Sequence, residues 1–193
     1  IGLVLDTGSS SGDRLTSNPA VKGTGLAGAT VTIKEGTITL GTPTADSTGA
    51  WSFTPSGLLE GAHTVSAFET DLAGNTVTAM LSFTLDTTAP TVSFGLVSDT
   101  GSSTSDRITS NPAIKGTAQA NAVVTIKEGG TTLGTTTADA TGAWSFTPAG
   151  FADGAHTLTV TQTDLAGNTG MATLSFMLDM TAPALSIALV SDT

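Results

Sequence analysis

Apolar and polar positions alternate in short runs along the chain, with no sustained helical period. In residues 91–178 the runs are clear. TVSFGLV (91–97) alternates and predicts a strand, and AIKGT (113–117) predicts a short second one. VVTIKE (123–128) is a third, closed by Gly129-Gly130, and TTLGTTT (131–137) is a fourth. AWSFTP (143–148), HTLTVTQT (156–163) and ATLSFML (172–178) complete the set. In WSF the period of two sends Trp and Phe to one face, so Trp51 and Trp144 are read as core. The turns between strands have identifiable chemistry. ADATGAW (138–144) places Asp139 to cap a hairpin and Gly142 where positive φ is needed, and Asp46 caps the same turn earlier in the chain.

The pattern occurs twice. Residues match at an offset of 93 without a gap: Pro19 with Pro112, Trp51 with Trp144, Pro90 with Pro183. Identity between the copies is roughly two-thirds, which marks a tandem repeat. The expected domains are 1–88 and 89–181, with 182–193 opening a third copy, so the chain reads as a window on a longer array. Seven short strands per copy, with frequent turn signals, predict an all-β fold. It is expected to be two tandem seven-stranded Ig-like antiparallel β-sandwiches arranged head to tail. The Cys…Trp…Cys pattern of antibody domains is missing, because the chain has no cysteine. His156, in ADGAH (152–156), falls where some sandwiches place a tyrosine corner and is expected to bond backbone. Lys34-Glu35 and Lys127-Glu128 are adjacent on strands and are expected to be solvated or edge-protecting charges.

Charge narrows the function. The formal net charge is −10 with only six Lys and Arg, which argues against nucleic acid or anionic lipid as a partner. No apolar run is long enough for a membrane-spanning helix. Hydrophobic residues make up 38% and charged residues 11%, a composition of folded rather than disordered chain.

The acids are placed non-randomly. DTGSSSGD (6–13) returns as DTGSSTSD (99–106), and LVSDT (189–193) begins it again. In a seven-strand sandwich the loop after the first strand and the end of the seventh strand share one pole. That pole carries Asp6, Asp13 and Asp86 in one copy and Asp99, Asp106 and Asp179 in the other. The opposite pole carries DLAGN, with Asp71 and Asn75 or Asp164 and Asn168. Head-to-tail stacking would bring Asp6, Asp13 and Asp86 near Asp164 and Asn168, around the linker TTAP (87–90). So many carboxylates would repel unless a cation joined them. Calcium, which takes six to eight oxygens in tolerant geometry, is the expected ion. Zinc prefers His and Cys, and each copy has a single His and no Cys. Turn capping is the competing reading for every one of these acids.

ADSTGAWSFTP, LLEGAHT, TDLAGNT and LDTTAP, in that order, resemble the bacterial Ig-like repeats of giant RTX and biofilm-associated adhesins exported by type I secretion. The resemblance covers both copies. It departs at His63 and His156, which replace an aromatic residue, and at Glu60, which replaces Asp. It implies calcium-binding extender modules at a bacterial cell surface, partnered by neighbouring repeats of the same chain. The distal ligand would be bound elsewhere in the full protein. No catalytic constellation is visible, since His63 and His156 are equivalent positions in separate copies and cannot form a compact pair. Two other readings remain open. The alternating threonines of TVTIKEGTITLGTPT (30–44) could form a glycan- or surface-binding face, or the repeats could adhere homophilically.

Overall fold

The computed structural model describes residues 1–187, so the LVSDT segment (189–193) expected to open a third copy lies outside the described residues. The first repeat contains β1 (Gly2–Leu3), β2 (Leu15–Thr16), β3 (Val21–Thr24), β4 (Thr32–Glu35), β5 (Ile38–Gly41), β6 (Ala50–Phe53), β7 (Gly61–Thr70) and β8 (Thr76–Leu85). The second contains β9 (Ser93–Leu96), β10 (Ile108–Thr109), β11 (Ile114–Thr117), β12 (Val123–Glu128), β13 (Thr131–Thr137), β14 (Ala143–Phe146), β15 (Gly154–Thr163) and β16 (Thr169–Leu178). The boundary between the two compact units falls after Pro90. Among the described residues no helix is long and apolar enough to cross a membrane.

Each repeat is an all-β sandwich of a three-stranded and a five-stranded sheet. The sheet orders are β1-β3-β6 with β2-β8-β7-β4-β5, and β9-β11-β14 with β10-β16-β15-β12-β13. The expected first strand, 91–97, corresponds to β9, and each repeat adds a two-residue strand, β2 or β10, that the sequence reading did not place. β9 pairs antiparallel with β11 on the small sheet, while β10 pairs parallel with the end of β16 on the large one. β1 and β2 divide in the same way. The acidic loop joins β1 to β2 and β9 to β10, rather than running straight to the strand read as the second. A two-residue strand is too short for its period to be read from sequence. The change of course is local: Arg14 and Arg107, just before the short strands, have φ of 58° and 60°.

The inward faces build one core per repeat. Val21, Ile33 and Val65 in the first, and Ile114, Val124, Ile126, Leu158 and Val160 in the second, are fully buried. Each such side chain contributes about 1.5–3 kcal/mol of hydrophobic stabilisation. Trp51 and Trp144 are core residues, as the period of two requires, with Phe53 and Phe146 packed beside them. The indole lies so close to Gly23 that a Cβ there would meet Trp51 Cζ2 at 2.5 Å.

Asp46 and Asp139 act as the turn caps expected of them. Asp139 Oδ1 accepts from the Thr141 N–H at 2.7 Å and the Ala143 N–H at 3.0 Å, while Gly142 takes φ of 86°. The Thr141 hydroxyl, followed by these main-chain donors, holds the Asp139 pKa below its ordinary value. The lysine–glutamate pairs differ from expectation. β4 and β12 are interior strands, so neither pair protects an edge. Lys34 Nζ sits 5.2 Å from the Phe68 ring centroid, and Glu35 is bonded to His63.

Candidate metal centre

The acidic loop folds the same way in both repeats. In the first, Asp13 Oδ1 accepts the Leu15 N–H at 3.0 Å and Oδ2 accepts the Ser10 N–H at 3.2 Å. Asp6 Oδ2 accepts the Arg14 N–H at 3.2 Å. In the second, Asp106 Oδ1 accepts the Ile108 N–H at 3.0 Å, Oδ2 the Ser103 N–H at 3.1 Å, and Asp99 Oδ2 the Arg107 N–H at 3.1 Å. The Ile108 N–H is the main cause that holds Asp106 below its ordinary pKa. Gly8 and Gly101 let the loop close over these carboxylates. A Cβ on either would lie 2.6 Å from the Oδ1 of Asp13 or Asp106.

One oxygen in each loop has no such partner. Asp6 Oδ1 and Asp99 Oδ1 are buried and accept no hydrogen bond. Asp99 also lies within hydrogen-bonding reach of the Asp106 carboxylate. A buried carboxylate oxygen without a donor, beside a second carboxylate, is costly unless a cation or proton joins it. The donors available are oxygens only, which fits a hard cation such as calcium and not zinc.

Asp86 and Asp179 stand at the same end of their repeats as these loops. The Asp86 N–H donates to Thr16 O and the Asp179 N–H to Thr109 O, each at 3.0 Å, which continues the parallel pairing of β2 with β8 and β10 with β16. Their Oδ1 atoms accept the Thr88 and Thr181 N–H groups at 3.1 Å. Two further acids at this end, Glu60 and Asp153, read from the sequence only as a family departure and a turn residue, not as part of the acidic pole. Glu60 accepts from the Thr87 N–H at 2.9 Å and from its hydroxyl, and Asp153 accepts from the Met180 N–H at 2.7 Å. Both recur at one offset, which was the available signal.

The DLAGN acids are at the other end of the fold: β8 runs its ten residues between Asn75 and Asp86. Both oxygens of Asp71 are engaged by its own turn, with Oδ2 accepting a single bond. Its Oδ1 accepts the Ala73 and Asn75 N–H groups at 2.8 and 2.9 Å, and its Oδ2 accepts the Asn75 amide at 2.8 Å. The Asn75 side chain, then its N–H, pulls the Asp71 pKa down. Asp164 and Asn168 form the same turn, with bonds of 2.9, 2.8 and 3.0 Å. Within a single repeat the two acidic ends are therefore held apart by the length of a strand. Among the described residues no three His, Asp or Glu side chains gather to hold a metal by themselves.

A family profile described as bacterial Ig-like domain matches residues 3–87 and again 88–180. Among solved structures, one described as a Ca2+-stabilized adhesin that helps an Antarctic bacterium reach out and bind ice is 34% identical. The match covers 86% of this chain and 45% of that one, with a TM-score of 0.42. A structure concerning host cell surface retention of a 1.5-MDa bacterial ice-binding adhesin is 32% identical over 86% of this chain and 58% of its own, with a TM-score of 0.37. A tetra-tandem repeat from the extending region of a large adhesion protein is 24% identical over 87% and 47%, with a TM-score of 0.39. The chain spans about half the length of these solved chains. No curated protein matches it.

Proposed function

The chain belongs to the bacterial Ig-like domain family, and from that premise we propose that it is a stretch of extender repeats in a bacterial cell-surface adhesin, stiffened by calcium and serving to project a distal binding domain. The observation that carries the proposal is the recurrence of one acidic cradle per repeat, each with a buried carboxylate oxygen that nothing in its own repeat satisfies. Asp6, Asp13 and Asp86 would supply ligands from one repeat, with Asp164 and Asn168 completing the set from the next. Asp99, Asp106 and Asp179 would repeat the arrangement with a following copy, and Asp71 with a preceding one. Bound calcium would supply the positive charge that lets these carboxylates converge.

The role of the protein's own residues is positional. Gly8 and Gly101 leave room for the carboxylates, and the main-chain donors aim them. Pro90 fixes its own φ and restricts Ala89, which stiffens the linker. We read the repeats as non-catalytic, since both histidines are engaged in structural bonds. Extracellular calcium modules bind at about 10⁻⁴–10⁻³ M, so such a chain would be unclipped in a low-calcium cytosol and rigid outside.

Small-angle scattering of this two-repeat chain tests the reading. In millimolar calcium the distance distribution is expected to be narrow and extended, and chelator is expected to broaden it. An unchanged profile, together with no calcium heat in titration calorimetry, refutes the clip. A glycan array scored on the same chain separates a spacer, which binds nothing there, from a binding module.

A further inference from the structure

Each repeat places its only histidine at the same corner, between two groups that can only accept. His63 Nδ1 lies 2.7 Å from Glu35 Oε1, and Nε2 lies 2.7 Å from the Leu59 carbonyl oxygen. His156 Nδ1 lies 2.8 Å from Glu128 Oε1, and Nε2 lies 2.9 Å from the Ala152 carbonyl oxygen. A carbonyl oxygen and an ionised carboxylate have no proton to give. A neutral imidazole has one N–H, so it satisfies one neighbour and turns a lone pair on the other. Only the imidazolium satisfies both. The rings are enclosed: the histidine side chains are 10% and 13% exposed. His156 also stacks on Phe151 at 4.2 Å with an interplanar angle of 2°, and both rings lean on a core phenylalanine at 5.6 Å.

We propose that His63 and His156 are protonation-dependent struts, so that each repeat folds around an imidazolium and is more stable in mildly acidic than in alkaline medium. This goes beyond the extender reading and does not depend on calcium. The surroundings leave the charge to this pair. β5, β8, β13 and β16 carry no ionisable side chains. Lys34 and Lys127 neighbour the glutamates on opposite faces of their strands, with Lys34 over Phe68. Glu60 and Asp153, in the loops before each histidine, are held by Thr87 and by Met180 and Thr181. Burial is the largest influence on either ring and opposes its charge. The carbonyl bond and the glutamate outweigh it, so both pKa values lie above the ordinary histidine value.

The sign follows by linkage. A group whose folded pKa is raised binds its proton more tightly when folded. Its contribution is complete below the unfolded value, 6.5, and is lost as pH rises through the folded pKa. Two measurements on the whole chain in chelator test this. Long-range ¹H–¹⁵N spectra of the imidazoles are expected to show both ring nitrogens protonated above pH 6.5. Urea midpoints are expected to fall steadily from pH ~5.5 to ~8.5, a range clear of ordinary carboxylate titration. The Glu35→Gln and Glu128→Gln variants should lower the corresponding imidazole pKa and flatten that fall. If they do not fold, the wild-type spectra decide alone. Imidazoles that titrate at or below 6.5, or midpoints that hold or rise with pH, overturn the proposal.

Discussion

Glu69 and Gln162 occupy equivalent positions, so each repeat serves as a control for the other. Gln162 Oε1 accepts the Gln119 N–H at 2.9 Å, and its amide donates to Gln119 Oε1 at 2.5 Å. In the first repeat Leu26 replaces that glutamine. Glu69 Oε1 accepts only the Leu26 N–H, at 2.9 Å, and the residue is 8% exposed. Its carboxylate is seated tightly, since a Cβ on Gly25 would come within 2.0 Å of Oε2. A dry, singly bonded carboxylate costs several kcal/mol. Glu69 is not fully dry: it borders a cavity of about 90 Å³ that Thr24 and Trp51 also line, enough for water. Glu69→Gln keeps the Leu26 bond, removes the charge and lets the new amide reach that water. We expect a gain of about 1–2 kcal/mol, or roughly 4–8 °C per kcal/mol in a domain of this size. Adding Leu26→Gln rebuilds the amide pair of the second repeat and adds about 0.5–1 kcal/mol. Each repeat has one tryptophan, so in a Trp144→Phe background Trp51 fluorescence follows the first repeat alone through a urea titration at pH 7. An unchanged or lower midpoint for Glu69→Gln would refute the view that this carboxylate is a burden on its repeat.

Three further outcomes are expected. Asp6→Asn with Asp99→Asn abolishes any calcium-induced rise in melting temperature, read by calorimetry with and without chelator, while the chelated protein melts no lower than wild type. Gly101→Ala, whose Cβ would sit 2.6 Å from Asp106 Oδ1 and 3.0 Å from Ile108 O, weakens calcium binding at that loop at least about tenfold in titration calorimetry, whereas Gly95→Ala meets nothing within 4 Å and changes nothing. Below pH about 4 the melting temperature falls. Asp46, Asp71 and Asp139 are each held below 3.8 by hydrogen bonds to their own turns, so the stability they add is present above that value and lost as pH drops through their folded pKa values.

The strands with strong local punctuation were the legible ones. VVTIKE and TTLGTTT coincide with β12 and β13, because Gly129-Gly130 forces the hairpin between them. β2 and β10 were invisible, since two residues have no period and their parallel partners lie far along the chain. Acid placement was legible at the level of which end of the sandwich, because strand alternation alone sets it. Which acids are free was not. Asp71 and Asp6 look alike in sequence, yet both oxygens of one are bonded within its turn and the other keeps an oxygen unbonded. The His63–Glu35 pair was missed for a related reason. Its members are 28 residues apart, and only the register that sets Glu35 opposite Val65 brings the carboxylate beside the ring.

The short strand that follows the acidic loop bears on how a repeat carries load. β2 lies near the start of its repeat and β8 is its last strand, and they run parallel, joined by Thr84 N–H to Arg14 O at 2.9 Å and Asp86 N–H to Thr16 O at 3.0 Å. β10 and β16 are joined by the matching bonds, at 2.9 and 3.0 Å. Pulling the two ends of a repeat apart drags such strands in opposite directions along their own axes. The hydrogen bonds then face shear and must break together, where an antiparallel terminal pair would peel open one bond at a time. A chain of these units would yield abruptly under tension rather than creep.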